Sequence, residues 1–297
     1  MIPHGTILGG VSVVPDLAAG LAAYQGTLQL DLVHQGPLSA DLAAGWGCPA
    51  SAGRAHAVLR PKSGAPCWFR LVEQPDVAGF KPTTSFGWGA FELTVQDVFG
   101  WPARLAGSGF TIVGDPKQLP GMDAFVPMQA LGPGQEVIYL NQVFANMDTL
   151  DLPTAASITD HIFIVILATP DRAATCRWYA DRLDLDLGPV FELPYQMINT
   201  AFGLPDDFIT ALQMVGKGRM PIVEVDDYPP QTSVRPRHDG MLPPGNALVT
   251  LAMHDLDACD VAWISPPVRR DGPLYDGRRA GCVIGPAGEL LELVEVG

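Results

Sequence analysis

The sequence predicts an α+β protein made of four strand–helix–strands units in two pairs. Three observations carry that reading. A breaker-containing stretch near the middle divides the chain into halves of similar length, the halves repeat one order of elements, and each half opens a second strand-led unit. A pattern that recurs in order says more than any single element, because every copy has to pack in the same way.

The first half opens on the apolar residues 7–14, read as a strand. Pro15-Asp16 ends it, and Leu17-Ala18-Ala19-Gly20-Leu21-Ala22-Ala23-Tyr24 follows as an acid-led helix closing on an aromatic. Arg54-Ala55-His56-Ala57-Val58-Leu59, a Lys62-Ser63-Gly64 turn and Trp68-Phe69-Arg70-Leu71-Val72-Glu73 read as a hairpin. Phe91-Glu92-Leu93-Thr94-Val95-Gln96-Asp97 opens the second unit. Residues 148–157 have no clear period and contain Pro153, so they form the boundary between residues 1–148 and 159–297.

The second half repeats this order. Residues 162–167 are the strand, Pro170-Asp171 the break, and Arg172-Ala173-Ala174-Thr175-Cys176-Arg177-Trp178-Tyr179 the helix. Residues 208–215, Gly216-Lys217-Gly218 and Ile222-Val223-Glu224-Val225-Asp226 repeat the hairpin. Residues 248–258 open the last unit, where Asp255 and Asp257 suit a helix start. Gly285-Pro286-Ala287-Gly288 then launches a closing strand with Glu292 on the face opposite Leu291 and Leu293. A carboxylate in that setting is either solvated or turned into a cavity.

Composition narrows the partner. A net charge of −14, from 18 Lys+Arg against 32 Asp+Glu, disfavours nucleic acid and anionic membrane surfaces, both of which require basic patches. No apolar run approaches the ~20 residues of a membrane span, and the start lacks the basic and apolar regions of an export signal. Five scattered cysteines without CxxC spacing support neither a disulfide framework nor structural zinc, and Cys176, Cys259 and Cys282 read as small core residues. The expectation is a cytoplasmic protein whose partner is a small, fairly apolar molecule, with room for a homodimer. Neither a P-loop nor a Gly-x-Ser-x-Gly elbow is present.

The order of strand, Asp-led helix and three further strands resembles the βαβββ module of the vicinal oxygen chelate superfamily (glyoxalase I, bleomycin-resistance proteins, extradiol dioxygenases). Its sharpest pieces are Met253-His254-Asp255-Leu256-Asp257 and residues 288–294. The resemblance implies paired modules folded into two tandem cupped-sheet domains. It also implies a divalent metal (Mn, Fe, Ni or Zn) held by side chains from the first and last strand of each paired module, polarising adjacent oxygens of a substrate. Carried over residue by residue, the metal ligands are His161, Glu224 and Glu292, with Glu292 also the catalytic carboxylate. The expected first-strand ligand of the last module falls on Leu248 or Ala247, which cannot bind metal, and His254 reads as a helix-entry residue. In the first half the corresponding positions are Gly9, Arg70, Ala90 and Tyr139, an arginine among them, so that pair is expected to be structural and metal-free.

Residues 194–203 mix aromatics, Met and amides, and Tyr195, Met197 and Phe202 are the candidate substrate-binding residues; the alternative is a helix packed on the sheet. The proline- and arginine-rich residues 266–279 either cover the cavity or form a surface excursion. Two functions remain open. One is a metal-dependent lyase, isomerase or ring-cleaving dioxygenase acting on a small oxygenated, aromatic metabolite. The other, favoured by the missing histidine at Leu248, is a metal-free protein that sequesters a small molecule. A metal-free enzyme working with cavity acids is a third.

Overall fold

The structure is a computed structural model and describes residues 1–118 and 123–297. The first module runs β1 (Ile7–Val14), α1 (Leu17–Leu21), β2 (Asp31–Pro37), α2 (Ala40–Gly45), β3 (Ala55–Arg60) and β4 (Trp68–Glu73). The second holds β5 (Gly87–Val95), α3 (Trp101–Leu105), β6 (Thr111–Gly114), β7 (Phe125–Leu131) and β8 (Val137–Val143). The third holds β9 (Thr159–Thr169), α4 (Arg172–Leu183), β10 (Asp186–Pro194), α5 (Gln196–Phe202), β11 (Ile209–Lys217) and β12 (Met220–Asp227). The fourth holds β13 (Gly245–Met253), β14 (Trp263–Arg269), β15 (Arg279–Ile284) and β16 (Leu290–Glu295).

The acids expected to lead helices do so in modules one and three. Asp16 Oδ1 accepts the Ala19 N–H at 3.0 Å and Asp171 Oδ1 accepts that of Ala174 at 2.9 Å, satisfying amides that have no partner inside the helix. A second acid at the end of each fourth strand completes the start: Glu73 receives the Leu17 N–H and Asp227 that of Arg172. In module four the expected helix is replaced by a turn, in which Asp255 Oδ1 accepts the Asp257 N–H at 2.9 Å. Only nine residues separate Met253 from Trp263, and Asp255 completes its bond within two of them.

The strands form two eight-stranded sheets, and here the pairing differs from expectation. The sheets do not join modules within residues 1–148 and within 159–297. The first sheet has the order β14-β15-β16-β13-β1-β4-β3-β2 and unites modules one and four. The second, β10-β11-β12-β9-β5-β8-β7-β6, unites modules two and three. The joins are antiparallel, β1 with β13 and β5 with β9. Edge-to-edge pairing of modules depends on which strand edges meet in space, and the local sequence pattern does not specify that choice.

Each sheet turns one face to a shared core. Val14, Phe69, Leu71, Leu251, Leu291 and Leu293 of the first sheet lie in one buried cluster with Phe91, Leu93, Ile138, Val165, Val223 and Val225 of the second. The sheets approach closely enough that a Cβ on Gly10 would meet the Phe91 ring at 2.5 Å. Two matching contacts tie the modules together. Tyr24, just beyond α1, donates to Glu136 Oε1 at 2.8 Å, and Tyr179 of α4 donates to Glu289 Oε1 at 2.8 Å. Both glutamates sit in Gly-Pro turns, where the Gly134 and Ala287 amides bind their other oxygens. Burial pushes both carboxyls up to about 7.

Candidate functional site

The opposite, outer face of each sheet carries the positions that the resemblance assigns to chemistry. These faces follow from strand alternation. In β12, Val223 and Val225 enter the shared core, so Glu224 and Asp226 point outward; in β16, Leu291 and Leu293 enter it, so Glu292 points outward.

On the first sheet Glu292 is buried and fully engaged. Oε1 accepts from Trp46 Nε1 at 2.7 Å and the Tyr275 hydroxyl at 2.8 Å. Oε2 accepts from Thr250 at 2.7 Å and pairs with Arg70 Nη1 at 3.0 Å. Arg70 also donates to Tyr275 at 3.0 Å and to Thr250, and lies over the Trp46 ring at 5.0 Å. Strands β1 and β13 intervene between β4 and β16, so two long side chains close a backbone gap of roughly 14 Å. Burial would raise the Glu292 carboxyl, but the Arg70 charge and the three neutral donors outweigh it and hold the group below its ordinary value. Val11, Val13, Leu248, Leu290 and Cys282 pack around this centre. Of residues 266–279, the first four belong to β14, and Tyr275 reaches this centre from the segment that follows.

On the second sheet the equivalent positions hold different chemistry. Glu224 stands three residues before the helix-capping Asp227, as Arg70 stands before Glu73. Tyr139 stands three residues after the buried Glu136, as Glu292 stands after Glu289. Tyr195 donates to Glu224 Oε1 at 3.1 Å, and its hydroxyl lies 2.9 Å from that of Tyr139. The Tyr139 hydroxyl is also 3.2 Å from Met197 Sδ. Two further acids share this face: Glu92, which accepts from Asn141 Nδ2 at 2.9 Å, and Asp226. Burial pushes Glu224 up to about 7, and raises Glu92 and Asp226 through desolvation and through the neighbouring carboxylates. Segment 195–202 lies over the sheet: Tyr195 and Met197 pack with Ala90, Val137, Tyr139 and Ile166, while Ile198 and Phe202 join Ala168 and Tyr228.

The six sequence-predicted site residues therefore divide. Tyr195, Met197 and Phe202 come together with Glu224 on the second sheet. Glu292 lies on the first sheet, so it cannot share an ion with Glu224. His161 stands at the start of β9, where its Nδ1 is 3.3 Å from Asp160 Oδ1. The register explains its distance from the site. Val11 lies opposite Arg70 and Ile166 opposite Glu224, so the position matching Gly9 is Ile164, three residues beyond His161. Asn141, Asp226, Trp46, Tyr228 and Tyr275 were not expected in either centre, and Glu92 had no assigned role. Glu92 carried a usable signal, since it is flanked by Phe91 and Leu93 as Glu292 is by leucines. Asp226 carried another, two residues from Glu224 on the same strand face.

The donor sets do not fit the metal that the resemblance implies. The Arg70 cation and three hydrogen bonds occupy the lone pairs of Glu292. On the second sheet the corresponding positions are Ala90, Tyr139, Ile164 and Glu224, without a histidine. Among the described residues no group of three or more His, Cys, Asp or Glu side chains is placed to hold a metal ion. Two surface clefts, of about 590 and 710 Å³, lie elsewhere. The first is lined by His4, Asp184, Lys217 and His254, the second by Ile2, Trp68 and the loop around Asp276.

Among solved structures, glyoxalase I from Zea mays matches with a TM-score of 0.61 and 17% identity, covering 98% of this chain and 92% of that one. A point variant of the maize enzyme matches at 0.62 and 18%, with the same coverage. A Bacillus subtilis protein classed by name with the dioxygenases matches at 0.64 and 11%, covering 99% of this chain and 86% of that one. These neighbours are of the vicinal oxygen chelate superfamily, and this chain has their two-domain α+β fold. No family profile and no curated protein matches the sequence.

Proposed function

We propose that the protein captures a small organic molecule on the outer face of the second sheet, beneath α5, without a resident divalent metal. The observation that carries this reading is the replacement of the metal position on the first sheet by the Arg70–Glu292 pair, together with the Tyr139–Tyr195–Glu224 arrangement at its counterpart. An arginine at that point supplies the positive charge that would otherwise come from an ion, so Glu292 needs none. The aromatic and thioether groups of Tyr195, Met197, Phe202 and Tyr228 supply the apolar lining and few placed polar groups typical of small-molecule sites.

A second reading has its own support. A half-buried carboxyl held at about 7 suits general acid–base work at neutral pH, which would make Glu224 the acting group of a metal-independent enzyme. In that case Tyr195 and Tyr139 would fix its orientation. The metal-dependent reading, with Mn, Fe, Ni or Zn, is the competitor to both.

Elemental analysis of protein purified without chelator or a histidine tag separates them. The expected result is far less than one equivalent of any divalent transition metal, with aromatic ligands raising the melting temperature in metal-free buffer through linkage. About one equivalent of metal per chain, lost on Glu224→Gln, would overturn the proposal.

A further inference from the structure

The outer face of the second sheet carries buried oxygens that no donor reaches. Glu92, Thr94, Tyr139, Asn141, Glu224 and Asp226 alternate with core residues on β5, β8 and β12 and so share it. Both oxygens of Asp226, Oδ1 of Asn141 and Oγ1 of Thr94 are buried and have no hydrogen-bond partner among the described residues. All three residues are fully buried. Glu92, Glu224 and Asp226 make no ion pair among the described residues, in contrast with Glu292 on the other sheet. Leaving buried acceptors unpaired is unfavourable, and a neutral apolar guest would not relieve it. An anion would meet three acids. The group that matches is compact, cationic and rich in N–H donors: an ammonium carries three and accepts none. Tyr139, Tyr195, Tyr228 and Phe202 place aromatic rings beside it, with Phe202 and Tyr228 edge to face at 6.0 Å. Such faces attract both a cation and an attached ring.

We propose that this site takes an arylalkylamine in its protonated form, with the ammonium among Glu92, Glu224 and Asp226 and the ring against Tyr139, Tyr195 and Phe202. The inference rests on reading the second sheet as the ligand site. It has a proton-linkage consequence. In the free protein burial favours the neutral form of each acid, with Glu224 up to about 7. A bound cation favours the charged form, so binding releases protons and strengthens as pH rises through 7 until the amine itself deprotonates. Other titratable and charged groups surround the cluster. Burial holds Tyr139, Tyr195 and Tyr228 protonated, Asp227 is tied to Arg172, and Arg235 donates to Ser85 and to the Trp88 and Asn246 carbonyls.

The test is titration calorimetry on the full chain with 2-phenylethylamine, tryptamine and 2-(1-naphthyl)ethylamine, each beside the matching alcohol and carboxylate. At least one amine should bind ten-fold or more tighter than its alcohol at pH 7.5. Its affinity should fall severalfold at pH 6, and its enthalpy should vary with the ionisation heat of the buffer. Asp226→Asn, which is close to isosteric with the neutral acid and cannot ionise when a cation binds, should fold normally, weaken the amine about ten-fold and leave the alcohol unchanged; Glu92→Gln serves as a second variant. An alcohol or carboxylate binding as tightly as its amine overturns the cation assignment and leaves the ligand site standing. Failure of all three series to bind overturns both.

Discussion

Arg70 and Glu292 show how one residue changes the meaning of a site. Removing one member of a buried pair leaves an uncompensated charge and typically costs about 3–5 kcal/mol. Arg70→Met should therefore lower the free energy of unfolding by roughly that amount in urea titrations. Adding Glu292→Gln should restore part of the loss, because the amide keeps an acceptor for Trp46 and Tyr275 without the charge. A loss in Arg70→Met below the range for surface changes would contradict the pairing. His56, behind Arg70, is a bystander to this balance: burial drives it down to about 3, with Arg70 and His34 acting the same way, so it stays neutral at any working pH.

The burial of Glu136 and Glu289, only partly offset by their bonds from Tyr24 and Tyr179, gives stability a definite pH trend. A carboxyl raised from 4.5 to about 7 on folding is stabilising below the unfolded value, and that contribution is lost as pH rises through the folded one. Glu292 acts in the opposite sense: held low, it contributes above its ordinary value, and the contribution is lost as the solution is acidified through its depressed folded value. Melting temperature should therefore decline from about pH 5 to about pH 7.5. The double variant Glu136→Gln/Glu289→Gln should reduce that decline, each glutamate accounting for up to roughly 3 kcal/mol, and leave the share due to the acids of the second sheet. An unchanged slope would show that these carboxyls are not the groups titrating.

At the scale of elements, β1 depends on Gly9. It adopts φ +151°, and a Cβ there would stand 2.0 Å from the Trp68 carbonyl oxygen of β4. Backbone cannot yield as a flexible side chain does, so Gly9→Ala should destabilise by about 3 kcal/mol and push β4, with Arg70, away from β13. Chemical denaturation reads the first effect, and near-ultraviolet circular dichroism of Trp46 and Trp68 the second. Strand existence was legible here: β1, β5, β9 and β13 all appear near the apolar runs that announced them. The last expected helix was not formed, because Asp255 is as good a turn former as a helix cap and the following residues are needed for β14. The register of β9 was equally hidden. Its eleven residues read as one long apolar strand, and nothing local says which of them stands opposite Glu224.

At the scale of the whole molecule, the sheets cross the midpoint of the chain twice. Residues 1–148 alone would present β1 without β13 and β5 without β9, and 159–297 would present the complementary edges. Unpaired edges with apolar faces aggregate. The halves expressed separately should be insoluble or molten, and together they should recover native near-ultraviolet dichroism. A soluble, cooperatively unfolding 1–148 fragment would count against this dependence.

Alternation, caps and the internal repeat are local properties, written in residues a few positions apart, and they were sufficient for four strand-led units and for the outward placement of Glu224 and Glu292. The mix of aromatics, Met and amides in residues 194–203 singled out Tyr195, Met197 and Phe202, which lie over the second sheet near Glu224. Which modules share a sheet was decided only in three dimensions, by edges some 240 residues apart in sequence, Ile7 against Leu251. That choice set Arg70 beside Glu292 instead of leaving it in a separate structural domain, and gathered Glu92, Glu224 and Asp226 on the other sheet. A strand pattern tells which face a side chain takes, but the partner across the sheet follows from the tertiary pairing of edges.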